Sequence, residues 1–208
     1  MARPAFLSLD GLDGTGKSTQ CKLLIDWLAE QKIPAIFCSD PGGTPLGQEL
    51  RKILLFGREH AMTMPAEALL FMASRAQLVA EVIRPALDDG KCVVSDRFTL
   101  ANVVYQGHAG GMNTDELWKV GAVATGGLEP DLTLVLDLPP GQAAARRPGP
   151  ADRVERREPA YHARVREGFL AEARRRPERV RVIDAARPAE AVHEAVWKEV
   201  AGLLGKRA

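Results

Sequence analysis

Gly11-Leu12-Asp13-Gly14-Thr15-Gly16-Lys17-Ser18-Thr19 is the stretch on which the reading of this chain turns. Just before it stands Phe6-Leu7-Ser8-Leu9-Asp10, a short run of strand character. Just after it an amphipathic helix is expected over 17–31, with Leu23, Leu24, Trp27 and Leu28 on its apolar face. Strand, glycine-rich turn and helix together match G-x-x-x-x-G-K-[ST] in the context that gives the pattern meaning. Glycines let successive backbone N–H groups converge on phosphate oxygens, and the helix N-terminus adds its partial positive charge. Lys17 is then placed to reach the β- and γ-phosphates of ATP or GTP, and the Ser18 hydroxyl to join an Mg²⁺ shell. The bland alternative is an ordinary glycine-rich strand-to-helix turn.

Outward from this loop, strands and helices alternate. Strands are expected at 35–38, 92–95, 132–138 and 180–183; the run Leu132 to Leu138 is almost continuously apolar, as in a strand buried on both faces. Helices are expected over 46–56, from Pro65 with Thr63 as its cap to 87, from Thr114, and over 160–176 and 188–204. The alternation gives an α/β fold in three layers, a five-stranded parallel sheet with helices on both faces. Residues 1–208 form one domain, without repeat or linker. The one compositional break is 146–158, rich in Arg, Pro and Gly and read as a short mobile lid.

Composition sets the outer bounds. With 208 residues, 46% apolar and 26% charged, the chain suits one soluble domain and excludes disordered and collagen-like architectures. No apolar stretch approaches the length of a membrane span, and the opening residues reach Asp10 too soon for a signal-peptide core, so a cytoplasmic location is expected. Cys21, Cys38 and Cys92 are widely spaced and read as buried small apolar residues. From 141 to 181 there are 12 arginines, no lysine and 6 acids, a local charge of +6 that leaves −5 for the rest of a chain of net charge +1. An all-arginine set suits forked contacts with phosphate. A pI near 7.8 is no footprint of nucleic-acid binding.

A second signal lies at Ser95-Asp96-Arg97-Phe98, at the C-terminal edge of a strand, where open parallel sheets bind ligands. Asp96 is suited to a metal-bound water or to fixing Arg97, and Arg97 to a second phosphate; a structural ion pair is the bland reading. The N-K-x-D pattern of guanine-reading switch proteins does not occur, and no apolar strand ends in the paired acids of motor-type ATPases.

The motifs as a set resemble the thymidylate kinase family, of the bacterial type, within the P-loop nucleoside monophosphate kinases. The resemblance runs through Asp40-Pro41-Gly42-Gly43-Thr44, Phe71-Met72-Ala73-Ser74-Arg75, Asp96-Arg97-Phe98, Tyr105-Gln106-Gly107 and Asp152-Arg153-Val154-Glu155, over nearly the whole chain. It implies a P-loop NTPase-type fold, ATP and dTMP as substrates, Mg²⁺ as cofactor, a homodimer, and no nucleic-acid or membrane partner. It implies that Phe71 stacks on thymine, that Arg75 donates to a thymine carbonyl and that Asn102 faces the N3 edge. Tyr105 would crowd the sugar 2′ position, Gln106 would lie near base or sugar, and Asp13 near the 3′-hydroxyl or the phosphate–metal region. Arg97 would hold the acceptor phosphate, and Ser18 and Asp96 would face the metal.

Two positions depart from the family pattern. Ser39-Asp40 stands where Arg-Glu is usual, so the acid is shortened and the arginine lost. The phosphate loop also lacks the arginine some eukaryotic members carry, so the catalytic arginine is expected from the lid. Of Arg146, Arg147, Arg153, Arg156 and Arg157, the flanking Arg147 and Arg153 are favoured, to act with Lys17 and Arg97. The expected reaction is direct transfer of the ATP γ-phosphoryl to dTMP, giving dTDP and ADP. A kinase for another nucleotide, or a slowly hydrolysing switch protein, is the alternative.

Overall fold

The computed structural model describes residues 4–57, 61–147 and 151–205. Among them, five strands form one wholly parallel sheet of order β2-β3-β1-β4-β5. These are β1 (Phe6–Asp10), β2 (Ala35–Ser39), β3 (Cys92–Asp96), β4 (Leu132–Asp137) and β5 (Val180–Asp184). Every residue of β1 is buried, because helices cover both faces of the central strands. The sequence places all five strands within two residues.

On one face, α1 (Lys17–Glu30) and α9 (Ala189–Gly205) pack against each other beside the sheet, with Trp27 stacked on Trp197 at 5.9 Å between ring centres. α8 (Pro159–Arg175) shares the large apolar cluster built around Leu7, Leu9 and Leu134. A second cluster joins Phe6 and Val93 to Leu78, Ile83 and Phe98; the Phe6 and Phe98 rings meet edge to face at 4.8 Å. α2 (Pro45–Phe56) and α3 (Met64–Leu78) lie alongside each other, capped by Thr44 and Thr63, whose hydroxyls accept from Gly47 N and Ala66 N.

The long helix expected from 65 to 87 is three pieces. α3 widens into π-helical turns at Val79–Ile83 before α4 (Arg84–Asp88). Three further elements are given no bounds by the sequence. α5 (Thr99–Asn102) runs into a π-helical segment, Val103–Ala109, and α7 (Pro140–Ala145) follows β4; α6 (Thr114–Thr125) lies between them. The π-helical segment is the element that matters for the site. It carries Tyr105 and Gln106, and wide turns of this kind often mark functional positions.

Of the expected lid, residues 148–150 fall outside the described residues. The stretch from Ala151 to Glu158 is a series of turns anchored by Asp152, whose Oδ1 accepts from Val154 N and Glu155 N at 2.8 Å.

Candidate active site

The glycine-rich loop leaves β1 and enters α1 through residues that only glycine suits. Gly14 has φ +90°, and a Cβ there would stand 2.0 Å from Ala143 O; at Gly11, φ is +134° and a Cβ would meet Leu136 O at 2.6 Å. Around this turn Thr15 Oγ1 donates to Leu12 O at 2.9 Å, and the Lys17 ammonium donates to the same carbonyl at 2.8 Å. Lys17 is buried, which pushes its pKa down, while Asp13 at 3.6 Å pulls the other way. Gly16 opens the helix in a left-handed conformation, and Ser18 and Thr19 are exposed on its first turn.

Asp96 ends β3 beside this loop and accepts from Ser18 Oγ at 2.8 Å. Arg97 follows with φ +71°, a conformation that costs a non-glycine residue about 1–3 kcal/mol and that its surroundings hold in place. Its N–H donates to Leu9 O at 2.9 Å, and its carbonyl accepts from Ser95 Oγ at 2.6 Å. The side chain turns away from Asp96. It donates to Gly11 O at 2.9 Å, to Asp13 Oδ1 at 2.6 Å and to Tyr105 Oη at 3.2 Å, with the guanidinium 5.0 Å from the Tyr105 ring centre. The Asp96–Arg97 ion pair considered from sequence is therefore an Asp13–Arg97 pair. Burial pushes the Asp13 carboxyl up, but Arg97 and Lys17 outweigh it and hold the group well below the usual range. Behind the loop, buried Asp10 is pushed up to about 6 by desolvation, although Arg97 and a 2.9 Å bond from Ser8 Oγ oppose it.

Asp13, Gly14, Lys17, Ser18, Asp96 and Arg97 line a cavity of about 930 Å³, and Phe71, Arg75, Asn102, Tyr105 and Gln106 line the same cavity. The structure thus brings the sequence-derived acceptor set together. Phe71 is half-buried and outside the apolar clusters, as a platform should be. Tyr105 is more deeply seated, against Tyr161 and Phe169. Asn102 Nδ2 donates weakly to Ala68 O at 3.4 Å. Gln106 Nε2 donates to Glu67 Oε1 at 2.7 Å, while its buried Oε1 has no partner among the described residues.

Arg75 is buried beside its neighbours, and its Nε donates to Asp40. The shortened acid at the departure from the family pattern therefore holds Arg75, the arginine expected from sequence at the base. Burial pushes the Asp40 carboxyl up, and Arg75 opposes the shift. One Asp40 oxygen has no partner among the described residues, and Asp40 lines the cavity. Arg51 also lines it and donates to Pro41 O at 2.9 Å. Sequence reading missed Arg51, whose position in the middle of an amphipathic helix gives no local signal.

The two favoured lid arginines separate. Arg147 lines the cavity, its Cγ 3.0 Å from where a Gly14 Cβ would be, and it adds to the field that lowers Asp13. Its described ion pair is a loose one, 3.8 Å to Glu155. Arg153 is absent from the cavity lining. It donates to Leu54 O at 2.7 Å and stands 2.5 Å from Glu67, which also accepts from Arg157. An arginine held by a buried carboxylate and a helix-end carbonyl is anchored there, outside the cavity lining.

The family model for thymidylate kinase matches residues 9–196. The chain belongs to the thymidylate kinase family. Among curated members, the thymidylate kinase of Symbiobacterium thermophilum is 47% identical over 203 residues, spanning 97% of this chain and 95% of the relative. That of Pelotomaculum thermopropionicum is 45% identical over 202 residues, spanning 96% and 94%. The crystal structure of thymidylate kinase from Ehrlichia chaffeensis superposes with a TM-score of 0.79 at 26% identity, covering 97% of this chain and all of that one. The five-stranded parallel sheet is that of the thymidylate kinase fold, and the phosphate loop lies within the matched region.

Proposed function

We infer from this membership that the protein catalyses ATP-dependent phosphorylation of dTMP, giving dTDP and ADP. The observation that carries the reading is one cavity lined both by the phosphate loop and by Phe71, Arg75, Asn102 and Tyr105. A switch protein has no use for the second set.

The transfer is direct. An oxygen of the dTMP 5′-phosphate attacks the ATP γ-phosphorus in line, the bond to the β–γ bridging oxygen breaks, and ADP leaves with that electron pair. The acceptor phosphate is already anionic, so no general base is required. Catalysis rests on position and charge. Nucleotide phosphates entering the loop take the Lys17 ammonium from Leu12 O. Arg97 holds the acceptor phosphate from the Asp13 side, and Arg147 meets the γ-phosphoryl from above Gly14. Phe71 carries the thymine ring, Arg75 and Asn102 read its polar edge, and Tyr105 fills the space of a 2′-hydroxyl. Gln106 offers its unpartnered Oε1 to the base or sugar.

The donor set fits Mg²⁺. Ser18 Oγ donates its hydrogen to Asp96 Oδ2, which leaves the hydroxyl lone pairs for an ion. Mg²⁺ commonly takes one or two protein ligands and completes its shell with phosphates and water. Ser18 and Asp96 would hold it; bound there, Mg²⁺ neutralises charge on the β- and γ-phosphates.

A cytoplasmic location is the reading that the substrates ATP and dTMP support. Among the described residues no helix is long and apolar enough to cross a membrane. Exposed apolar residues on two helices in contact are the features that favour a homodimer. Leu69 on α3 is 57% exposed, and Val123 on α6 is 84% exposed.

The deciding experiment is ADP release with and without dTMP, repeated with dUMP, ribo-TMP and other monophosphates. ADP release that dTMP accelerates and purine monophosphates do not is the expected result. Equal release with and without any acceptor would overturn the reading.

A further inference from the structure

Glu67 lies on α3, one helical turn before Phe71, with 0% of its surface exposed. It does not line the cavity. A buried carboxylate is costly unless charge and hydrogen bonds satisfy it, and the groups that do so here come from distant parts of the chain. Oε1 accepts from Gln106 Nε2 at 2.7 Å. Oε2 accepts from Arg157 Nη2 at 2.6 Å and stands 2.5 Å from Arg153 Nη2, a close charge contact. One carboxylate thus binds the acceptor wall with one oxygen and the arginine-rich stretch with the other.

The contacts continue past Glu67 in both directions. Arg157 lies over the Tyr161 ring at 4.5 Å and donates to its hydroxyl, and Tyr161 Oη donates to Tyr105 O at 2.7 Å. Glu155, two residues from Arg153, faces Arg147 at 3.8 Å and lines the cavity with it. Tyr105 and Gln106 are therefore tied to the segment that places Glu155 beside Arg147.

We propose that Glu67 is a positioning residue that couples occupancy of the acceptor end to the seating of the 151–158 stretch, and through Glu155 to the placement of Arg147. A ligand that engages Gln106 fixes the amide that Glu67 accepts from. The carboxylate is then held where both guanidiniums meet it. With the charge removed, two arginines face each other without an anion between them, and the stretch is held to α2 only through Leu54 O and Leu55 O while the cavity walls remain. The proposal rests on the reading of Gln106 as part of the acceptor site.

Glu67→Gln keeps the shape and an acceptor for Gln106 but removes the charge. The expected kinetic result is a kcat lower by about tenfold or more with the ATP KM changed by less than about twofold. Limited trypsin digestion supplies a readout independent of turnover. In the wild type, dTMP should slow cleavage after Arg153 and Arg157. In Glu67→Gln, cleavage at those two bonds should be faster and no longer slowed by dTMP, with bonds elsewhere unaffected. Arg153→Gln should lose dTMP protection at Arg157, and the double variant should be no worse than Glu67→Gln, since both act through one contact. If Glu67→Gln does not fold, Arg153→Gln alone carries the same digestion test. Native kcat, cleavage accelerated equally along the whole chain, or dTMP protection retained in the variants would each overturn the proposal. So would bound dTMP that leaves cleavage of the wild type unchanged. Failure of the wild type to bind dTMP would instead overturn the acceptor-site reading on which the proposal stands.

Discussion

Arg97 Nη2 stands 2.6 Å from Asp13 Oδ1, joining the end of β3 to the inside of the phosphate loop across 84 residues of sequence. The same guanidinium reaches Gly11 O and Tyr105 Oη, so one side chain spans the loop and the π-helical segment. Burial in this position would ordinarily disfavour a cation. The carboxylates around it, Asp13 first, hold its pKa above the usual value, so the charge is permanent at any working pH.

Arg97→Lys should therefore behave almost as a deletion. An ammonium on a flexible stem cannot donate in three fixed directions at once. The expected kcat/KM for dTMP falls by about 100-fold or more, most of it in kcat if Arg97 also meets the transferring group. Steady-state kinetics at saturating ATP checks this. A lysine variant within tenfold of wild type would mean that charge alone matters here and that the forked geometry does not.

Asp10 gives a prediction about pH. Its folded-state pKa is raised to about 6 from an ordinary value of 3.8, so the folded chain holds this proton more tightly than the unfolded chain. The stability it contributes is full below the unfolded value and is lost as pH rises through about 6. Asp10→Asn cannot ionise and lacks that loss. The stability of Asp10→Asn relative to wild type should rise between about pH 4 and pH 7, by about 3 kcal/mol at most for a shift of this size. Urea unfolding of both proteins across that range measures it. A difference independent of pH would mean that Asp10 ionises in the folded protein as readily as in water.

What sequence alone reveals here follows from how local each determinant is. The five strands are short apolar runs bounded by Gly, Pro or Asp, and the phosphate loop is a pattern within nine consecutive residues, so both are legible. The segment carrying Asn102, Tyr105 and Gln106 is legible as a motif but not as a helix. Val103, Val104 and Tyr105 favour strands, and Gly107 and Gly110 weaken a helix. Packing decides the matter: Tyr105 against Tyr161 and Phe169, and Gly168 against His108, where a Cβ would come within 2.7 Å. Arg147 and Arg153 look equivalent in a basic loop. Only the fold brings Glu67 to one of them and Gly14 to the other.

The Asp40–Arg75 pair should show strong coupling. Arg75→Gln leaves a buried carboxylate without its cation, a loss of about 3–5 kcal/mol, and should also raise the dTMP KM by about tenfold or more while sparing that of ATP. Adding Asp40→Asn removes the uncompensated charge, so the double variant should recover much of the stability but not the dTMP affinity. Urea midpoints and KM values for the four proteins complete the cycle. Strictly additive stability losses would show that the two side chains do not depend on each other.

Arg147 carries the mechanistic prediction. The transition state spreads negative charge over the γ-phosphoryl oxygens, and the phosphate loop itself contains no arginine to meet it. Of the two lid arginines expected to do so, Arg153 is held by Glu67 and Leu54 O, whereas Arg147 lies over Gly14 with one loose partner. Its stem already packs on the loop, and the side chain lines the cavity that the loop opens into. A contact strengthened in the transition state acts on kcat rather than on substrate affinity. Arg147→Ala should thus lower kcat by at least about tenfold, and up to about a thousandfold, with little change in ATP affinity. Arg147→Lys should recover little, because an ammonium cannot fork across two oxygens. Arg153→Ala should differ in kind, exposing the 151–158 stretch to trypsin in parallel with its loss of rate, which Arg147→Ala should not do. If Arg147→Ala keeps native kcat, the missing charge comes from elsewhere in the cavity wall, where Arg51, Arg97 and Arg146 are, among the described residues, the remaining arginines not bonded to Asp40.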